Sequence, residues 1–297
     1  MSTNMIIDSH CHPNWHGHDT EAMVKNMDSM GISKAWLLTW EIEPSECEPS
    51  YTGVIDPRWN CISLASVLEA CHRYPDRFIP FYAPDPRIPG NLSRLRSAVE
   101  IHGIRGCGEL KLRMCLDNPD AMALYHLCAE LGLPVVFHLD IPLPPNKPVD
   151  RWTWWYGGTL GALERALRDC PRTLFVGHAP GFWRYISGDA DQREDAYPMG
   201  PVTPGGELLR LFKTYPNLYA DLSAGSGLNA IRRDPAFGRS FLTENQDRLL
   251  FGRDQFDRGH LDYLKSLTLP DPVITKILSQ NAIRLMERET PLEISVD

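Results

Sequence analysis

The regular alternation of strand-like and helix-like segments constrains the fold of this 297-residue chain more than any other feature. Short runs of apolar and β-branched residues recur along the chain, and a segment with helical periodicity follows each of them. The eight runs are MIID (5–8), KAWLLTW (34–40), RFIPFYA (77–83), IRGCGELKL (104–112), LPVVFHL (133–139), TLFVGHA (173–179), LYADLSA (218–224) and RLLFGRD (248–254). The predicted helices span residues 19–30, 62–73, 91–102, 119–131, 158–169, 205–214, 236–246 and 271–288.

Eight strand–helix units predict parallel strands that close into a (β/α)8 TIM barrel, with residues 1–297 forming one domain. An open, doubly wound sheet is the alternative, but no G-x-G-x-x-G turn follows the first strand. The 140–157 and 180–204 segments are longer than most loops that follow strands. Because such loops form the active-site face of a barrel, both are candidate substrate walls.

The composition argues against several classes of partner. A net charge of −8 disfavours nucleic acids and anionic membranes, since both attract basic surfaces. The apolar runs are too short to span a bilayer, and the first residues lack the basic region of a signal peptide. The eight cysteines include no C-x-x-C pair, and several lie in apolar segments, as ordinary buried thiols do. We therefore expect a cytoplasmic protein that acts on a small molecule.

Potential metal ligands fall at the carboxyl ends of the predicted strands. Alternate strand residues point inward, and a step of about 7 Å along one face separates His10 from His12. By the same parity His138 ends the fifth strand, His178 the sixth and Asp254 the eighth, all facing inward. Barrel enzymes carry their chemistry at this end of the strands.

Two histidines of one strand, a histidine of a second strand and a carboxylate of a third suit a zinc ion with an open position for water. Zinc would lower the pKa of that water from about 15.7 to roughly 7 and could also polarise a substrate carbonyl. Asp254 is a candidate for a direct ligand and for the general base. Parity also predicts that Asp8 shares the inward face of His10, and that Glu109 and Lys111 share a face of the fourth strand.

These motifs resemble those of the amidohydrolase superfamily. The resemblance is carried by D-x-H-x-H (8–12), LPVVFH (133–138), FVGHAPGFW (175–183) and LLFGRD (249–254), together with PNLYADLSA (216–224) and ILSQNAIRLM (277–286). More narrowly, the chain is similar to the amidohydrolase-related branch, which includes aminocarboxymuconate-semialdehyde decarboxylase and resorcylate-type decarboxylases. The resemblance covers nearly the whole chain.

The resemblance implies that His10, His12, His138 and Asp254 are metal ligands. His178 matches the sixth-strand histidine, which orients or deprotonates the water in mononuclear members and binds a second metal in binuclear members. We therefore expect one or two divalent ions, with Zn²⁺ as the first candidate and Mn²⁺ as an alternative. The resemblance also implies a homodimer.

The fourth strand departs from the family pattern, because it reads GELKL where many members read G-x-K-L. Glu109 could bridge a second metal, as a fourth-strand glutamate does in the related TatD-like hydrolases. Lys111 could be a carboxylated bridge, could bind a substrate carboxylate or could pair with Glu109. Arg253 stands beside Asp254 where a small residue is commoner, and parity points it away from the lumen.

Further candidate substrate residues lie beyond the strand ends. Trp154 and Trp183 belong to aromatic clusters that could pack the long loops or form a wall for a planar substrate. Arg113 and Arg184, like Lys111, could supply a cation for a substrate carboxylate.

Three functional hypotheses follow. In the first, a zinc-dependent hydrolase uses metal-bound hydroxide on an amide, lactone or similar carbonyl, while Asp254 and His178 handle protons. In the alternative, the same site is a nonoxidative decarboxylase of a small cyclic or aromatic acid, and an acid protonates carbon as CO2 leaves. In the third, the barrel has lost activity and binds a partner, which the intact ligand set disfavours.

Overall fold

The computed structural model describes residues 5–42, 46, 61–141 and 156–287. Within these ranges, each predicted strand-like run contributes one strand. The strands are β1 (Ile7–Cys11), β2 (Lys34–Leu37), β3 (Phe78–Pro80), β4 (Cys107–Leu110), β5 (Val135–His138), β6 (Phe175–His178), β7 (Leu218–Asp221) and β8 (Leu249–Leu250). Nearly all of their residues are buried, as expected for strands covered on both faces.

Parallel pairing closes the strands into a barrel. Backbone hydrogen bonds join β1, β2 and β3 in that order, and β4 to β8 in chain order. Phe81, after β3, forms a parallel bridge with Gly106, before β4. The amide of Ser9 in β1 donates to the carbonyl of Phe251, after β8, at 2.9 Å. The predicted (β/α)8 barrel is therefore confirmed.

The helices lie between the strands and often begin at a capping side chain. Asp19 and Thr159, for example, accept hydrogen bonds from the amides of Ala22 and Ala162 at 2.8 and 3.3 Å. The described helices are α1 (Thr20–Met30), α2 (Leu64–Arg73), α3 (Asn91–His102), α4 (Pro119–Glu130), α5 (Leu160–Asp169), α6 (Pro180–Trp183), α7 (Glu207–Thr214), α8 (Ala224–Arg232), α9 (Pro235–Glu244), α10 (Gly259–Ser266), α11 (Asp271–Thr275) and α12 (Asn281–Met286). A π-helical turn over residues 276–280 joins α11 to α12.

The sequence does not predict α8 or α10. Helix α8 contains Gly225 and Gly227, and glycine disfavours helices. A Cβ atom on Gly227 would lie 2.4 Å from the carbonyl carbon of Leu222, so the absence of a side chain lets the helix pack closely on the end of β7. Close packing therefore explains a helix that propensity alone disfavours.

The structure describes one of the two long loops and only the ends of the other. The 180–204 segment contains α6 and two short 3₁₀ turns, at residues 184–186 and 190–192. Most of the 140–157 segment lies outside the described residues.

The seven cysteines within the described ranges are free thiols. Among the described helices, none has the length and apolar character that crossing a bilayer requires.

Apolar side chains fill the amino-terminal part of the barrel interior and pack against α12. This apolar floor consists of Ile7, Trp36, Leu38, Phe81, Val136, Leu174, Val176, Leu250, Ala282 and Leu285. The rings of Trp36 and Phe81 stack 4.5 Å apart, and the indole N–H of Trp36 donates to the sulfur of Met286 at 3.0 Å. A larger cluster packs between the strands and the surrounding helices. The candidate metal ligands lie at the opposite, carboxyl ends of the strands.

Candidate active site

Side chains from β1 and from the segment after β8 meet at the carboxyl end of the barrel. The Nε2 atoms of His10 and His12 lie 3.8 and 3.6 Å from Oδ1 of Asp254. Asp254 has a left-handed backbone (φ 58°), and its amide donates to the carbonyl of His10 at 2.9 Å. The indole N–H of Trp15 donates to the carbonyl of Asp254 at 2.8 Å. These bonds tie residue 254 to β1 and hold its carboxylate beside the two histidines.

Glu109, in β4, lies among four imidazole rings. Its Oε2 atom lies 3.3 Å from Nε2 of His12 and 3.9 Å from Nε2 of His10. Its Oε1 atom lies 2.7 Å from Nδ1 of His138 and 3.9 Å from Nε2 of His178. All five side chains are buried. The fourth strand therefore supplies a carboxylate to the centre of the cluster, and His138 reaches the cluster through that carboxylate.

Asp221, the last residue of β7, contacts two of these histidines from the side away from Glu109. Its Oδ2 atom accepts a hydrogen bond from Nδ1 of His10 at 2.9 Å, and its Oδ1 atom accepts one from Nδ1 of His178 at 3.1 Å. Burial raises the pKa of Asp221, but the neighbouring His178 and His10 outweigh burial and hold that pKa well below its usual range. With Nδ1 of each ring engaged by an anion, Nε2 is the nitrogen that faces the cluster.

The buried charges also shift the pKa values of Glu109 and His138. Burial raises the pKa of Glu109, but Lys111 and His138 outweigh burial and hold that pKa well below its usual range. Burial and the nearby Lys111 lower the pKa of His138 to about 4. His138 is therefore a neutral imidazole near pH 7, which is the form that can bind a metal ion.

The arrangement fits a divalent cation. Two sets of side chains bring potential ligand atoms within 4.8 Å of one another: His10, Glu109 and His178, and His10, His12 and Asp254. Among the described residues, Nε2 of His10 and Oδ1 of Asp254 are buried without a hydrogen-bond partner. Leaving such an atom unpaired costs about 1–3 kcal/mol, which a bound cation would offset. Imidazole and carboxylate ligands suit zinc or manganese.

Lys111 lies beside the cluster among aromatic rings. Its Nζ atom lies 4.3 Å from the centre of the Trp40 ring and 5.4 Å from the centre of the Tyr156 ring, and the side chain is buried. The indole N–H of Trp40 donates to the carbonyl of Lys111 at 3.0 Å. Cation–π attraction helps to hold the ammonium group in place.

Of the other candidate substrate residues, Arg113 is half-buried, and Trp154 lies outside the described residues.

Trp183 and Arg184, which were candidates for contact with substrate, hold the loop after β6 in place. The indole N–H of Trp183 donates to the carbonyl of Asp221 at 3.1 Å. The guanidinium of Arg184 donates to the carbonyls of Ala190 and Arg193. Both side chains are buried. These side-chain hydrogen bonds are therefore with the backbone of the protein itself.

The sequence analysis does not identify Asp221, and it places Asp8 on the wrong face of β1. Asp221 ends β7 as the candidate histidines end β5 and β6, so the strand-end rule could have identified it. The sequence predicts that Asp8 faces the lumen with His10, but its carboxylate accepts hydrogen bonds from Nε of Arg253 at 2.6 Å and from the thiol of Cys11 at 3.1 Å. A register shift between Asp8 and Cys11 in β1 accounts for this difference. Arg253 points away from the lumen, as parity predicts.

The relatives of this barrel can be identified from its sequence. The Amidohydro_2 family model, described as amidohydrolase, matches residues 7–288. The chain belongs to the amidohydrolase family. The predicted superfamily and the prediction of an enzyme are thereby confirmed. No curated protein matches the sequence at a significant level.

Several solved structures share the fold along almost their whole lengths. The 2,6-dihydroxybenzoate decarboxylase from Rhizobium is 19% identical, with 96% of this chain and 99% of that chain covered and a TM-score of 0.58. A dihydroxybenzoic acid decarboxylase from Polaromonas sp. JS666, with bound manganese and 2-nitroresorcinol, is 16% identical, with 95% and 97% covered and a TM-score of 0.58. A probable 2-pyrone-4,6-dicarboxylic acid hydrolase from Acinetobacter baumannii is 15% identical, with 95% and 98% covered and a TM-score of 0.58.

Proposed function

We propose that this protein is a metal-dependent, nonoxidative decarboxylase of a small aromatic or cyclic carboxylic acid. The observation that carries this proposal is the buried ammonium group of Lys111 beside the cluster of imidazoles and carboxylates. A cation there attracts an anionic substrate. The two decarboxylases among the similar structures support the same reaction class. Decarboxylation therefore replaces hydrolysis as the favoured hypothesis.

The proposed metal ligands are His10, His12, His138 and Asp254, with Glu109 and His178 as further ligands for a second ion. A bound divalent cation would supply a Lewis acid for the substrate carboxylate and a neighbouring oxygen. The imidazole-rich ligand set favours zinc, and the manganese in the Polaromonas enzyme favours manganese.

The residues of the chain would bind the acid and deliver one proton. Lys111 would hold the carboxylate of the incoming substrate. The bond between the ring carbon and the carboxyl carbon breaks, its electron pair stays on the ring carbon, and that carbon takes a proton as CO2 leaves. Asp254 and His178 are the proposed proton carriers. The side chain of Asp254 is 19% exposed, so it can regain a proton from water, whereas His178 is buried.

Hydrolysis is the second candidate function, and the position of Glu109 favours it. The Glu109 carboxylate has one oxygen near His12 and the other near His138 and His178. A carboxylate placed in this way suits a bridge between two cations, an arrangement used to activate water. The similar structure of a probable hydrolase supports this alternative.

One experiment distinguishes the candidate functions. The purified protein is loaded with Mn²⁺ or Zn²⁺, its metal content is measured by inductively coupled plasma analysis, and it is incubated with hydroxylated benzoic acids, lactones and amides. Release of CO2 and hydrolysis products are followed in parallel. We expect CO2 and the decarboxylated ring from at least one aromatic acid.

Other outcomes contradict the proposal in different ways. Hydrolysis of a lactone or amide without any CO2 release supports the second candidate. A fully loaded protein that turns over none of these compounds supports a binding role. Less than about half an equivalent of metal after supplementation contradicts the metal site itself, since a site of this donor set holds its ion tightly.

A further inference from the structure

One carboxylate holds two imidazole rings at the end of the barrel. Asp221 uses separate oxygens for Nδ1 of His10, at 2.9 Å, and for Nδ1 of His178, at 3.1 Å. The centres of the two rings lie 4.2 Å apart. All three side chains are buried. Asp221 therefore joins a residue of β1 to a residue of β6 through side chains alone.

The carboxylate of Asp221 is itself held in one orientation. The hydroxyl of Ser223 donates to its Oδ1 atom, and the amide of Ser223 donates to the same atom at 3.1 Å. The Oγ atom of Ser223 also lies 2.8 Å from Nδ1 of His178. The indole N–H of Trp183 donates to the Asp221 carbonyl at 3.1 Å. The carboxylate cannot turn without breaking its hydrogen bonds with His10, His178 and Ser223, and the Trp183 bond holds the backbone of Asp221.

We infer that Asp221 is a positioning residue that keeps both His10 and His178 in the tautomer with the proton on Nδ1. A carboxylate oxygen only accepts hydrogen bonds, so each Nδ1 must donate. The lone pair of each Nε2 then points toward Glu109 and is available to a cation or a proton. Only the expected effect on metal affinity rests on the proposed function, because the tautomers are a property of the metal-free protein.

The substitution Asp221→Asn tests this role with little change in size. An asparagine side chain has one accepting oxygen and one donating NH2 group. It can therefore accept a hydrogen bond from only one of the two rings, whereas the carboxylate accepts from both. The other ring, His10 or His178, has to accept at Nδ1 and carry its proton on Nε2. We expect nitrogen NMR spectra of the metal-free variant, labelled with ¹⁵N-histidine, to show one ring in the changed tautomer. Metal affinity should fall by about 10–100-fold.

The control is Asp234→Asn, which alters the capping residue of α9, where the carboxylate accepts from the amide of Phe237 at 3.2 Å. This variant should keep both tautomers and the metal affinity of the wild-type protein. Resonances are assigned with His10→Gln and His178→Gln variants.

The inference is overturned if either ring of the wild-type protein, in its neutral form, carries its single proton on Nε2, a measurement that needs no variant to fold. It is also overturned if the Asp221→Asn protein keeps both tautomers and its metal affinity. Failure of the decarboxylase proposal has a different signature, since the tautomers and the metal affinity are then as expected while no acid releases CO2.

Discussion

The Nε atom of Arg253 lies 2.6 Å from Oδ2 of Asp8, and both side chains are buried behind the candidate metal ligands. The Oδ1 atom of Asp8 accepts hydrogen bonds from the amides of Arg253 and His10, at 3.0 and 3.2 Å. Arg253 directly precedes Asp254, and Asp8 lies two residues before His10. The pair therefore joins the two segments that carry these ligands, and Nη1 of Arg253 extends the connection to Asn26 of α1 at 2.8 Å.

Replacement of Arg253 should destabilise the protein strongly. Arg253→Met leaves the Asp8 carboxylate buried without its cation, and breaking a buried pair in this way costs about 3–5 kcal/mol. The Asp8→Asn/Arg253→Met double variant removes both charges and should recover part of that loss. Urea unfolding of the metal-free proteins measures the free energies. The exposed Arg239→Met is the matched control, and an Arg253→Met protein as stable as this control would show that the ion pair is dispensable.

Removal of the Glu109 charge should weaken metal binding. Glu109→Gln keeps the shape of the side chain but loses the anion that contacts His12 and His138. We expect metal affinity to fall by at least about tenfold, with a parallel loss of turnover, because carboxylates near a metal orient and strengthen its ligands. Competition with a chromophoric chelator measures the affinity. Glu100→Gln, on the exposed face of α3, should behave as the wild-type protein, and equal affinities for the two variants would contradict a role for Glu109.

The low pKa of His138 should make the stability of the metal-free protein depend on pH. The folded pKa is about 4, against an ordinary value of 6.5, so between these pH values the unfolded chain binds a proton that the folded protein does not. The contribution is complete above pH 6.5 and is lost as the pH falls toward 4, by up to about 3 kcal/mol. Urea unfolding across this range should show a smaller pH dependence for His138→Gln than for the exposed control His102→Gln. Parallel profiles for the two variants would refute this assignment.

Loss of the Lys111 ammonium should act on substrate binding more than on the metal. Lys111→Met keeps an unbranched apolar side chain but removes the proposed partner of the substrate carboxylate. A charge-assisted hydrogen bond contributes about 1.5–3 kcal/mol, so KM for the acid should rise by roughly 10–100-fold while metal content is unchanged. Steady-state kinetics of CO2 release check this expectation, with Lys265→Met on the exposed face of α10 as the control. An unchanged KM would place the substrate carboxylate elsewhere.

The sequence predicts the barrel and the convergence of side chains because both depend on regular geometry. An inward-facing residue at the carboxyl end of a strand reaches the mouth of the barrel whatever its neighbours are. This is why His138 and His178 lie beside Glu109, and Asp254 lies beside His10. Strand parity fails at Asp8 because the pairing within β1 is irregular, so the side chain of Asp8 points away from the lumen. The pattern of apolar residues in the sequence does not indicate this irregularity.

Contacts that depend on particular neighbours in the folded chain could not be predicted from the sequence. Asp221 has the same strand-end position as the histidines, but its role depends on two rings that come from strands distant in the chain. The roles of Trp183 and Arg184 depend on the path of the loop they hold, and nothing in their spacing distinguishes a loop anchor from a substrate contact. The sequence shows that these side chains are polar or aromatic, but their partners depend on how the chain folds.

The apolar floor, with Trp36, Phe81 and Leu285 packed across it, obstructs passage through the far side of the barrel within the described part of the chain. In the proposed decarboxylase, substrate and product would therefore enter and leave by the same opening, at the strand ends where Asp254 is partly exposed. A decarboxylated ring that stayed in the site would then block the next substrate molecule, so the proposed enzyme should show competitive inhibition by its product.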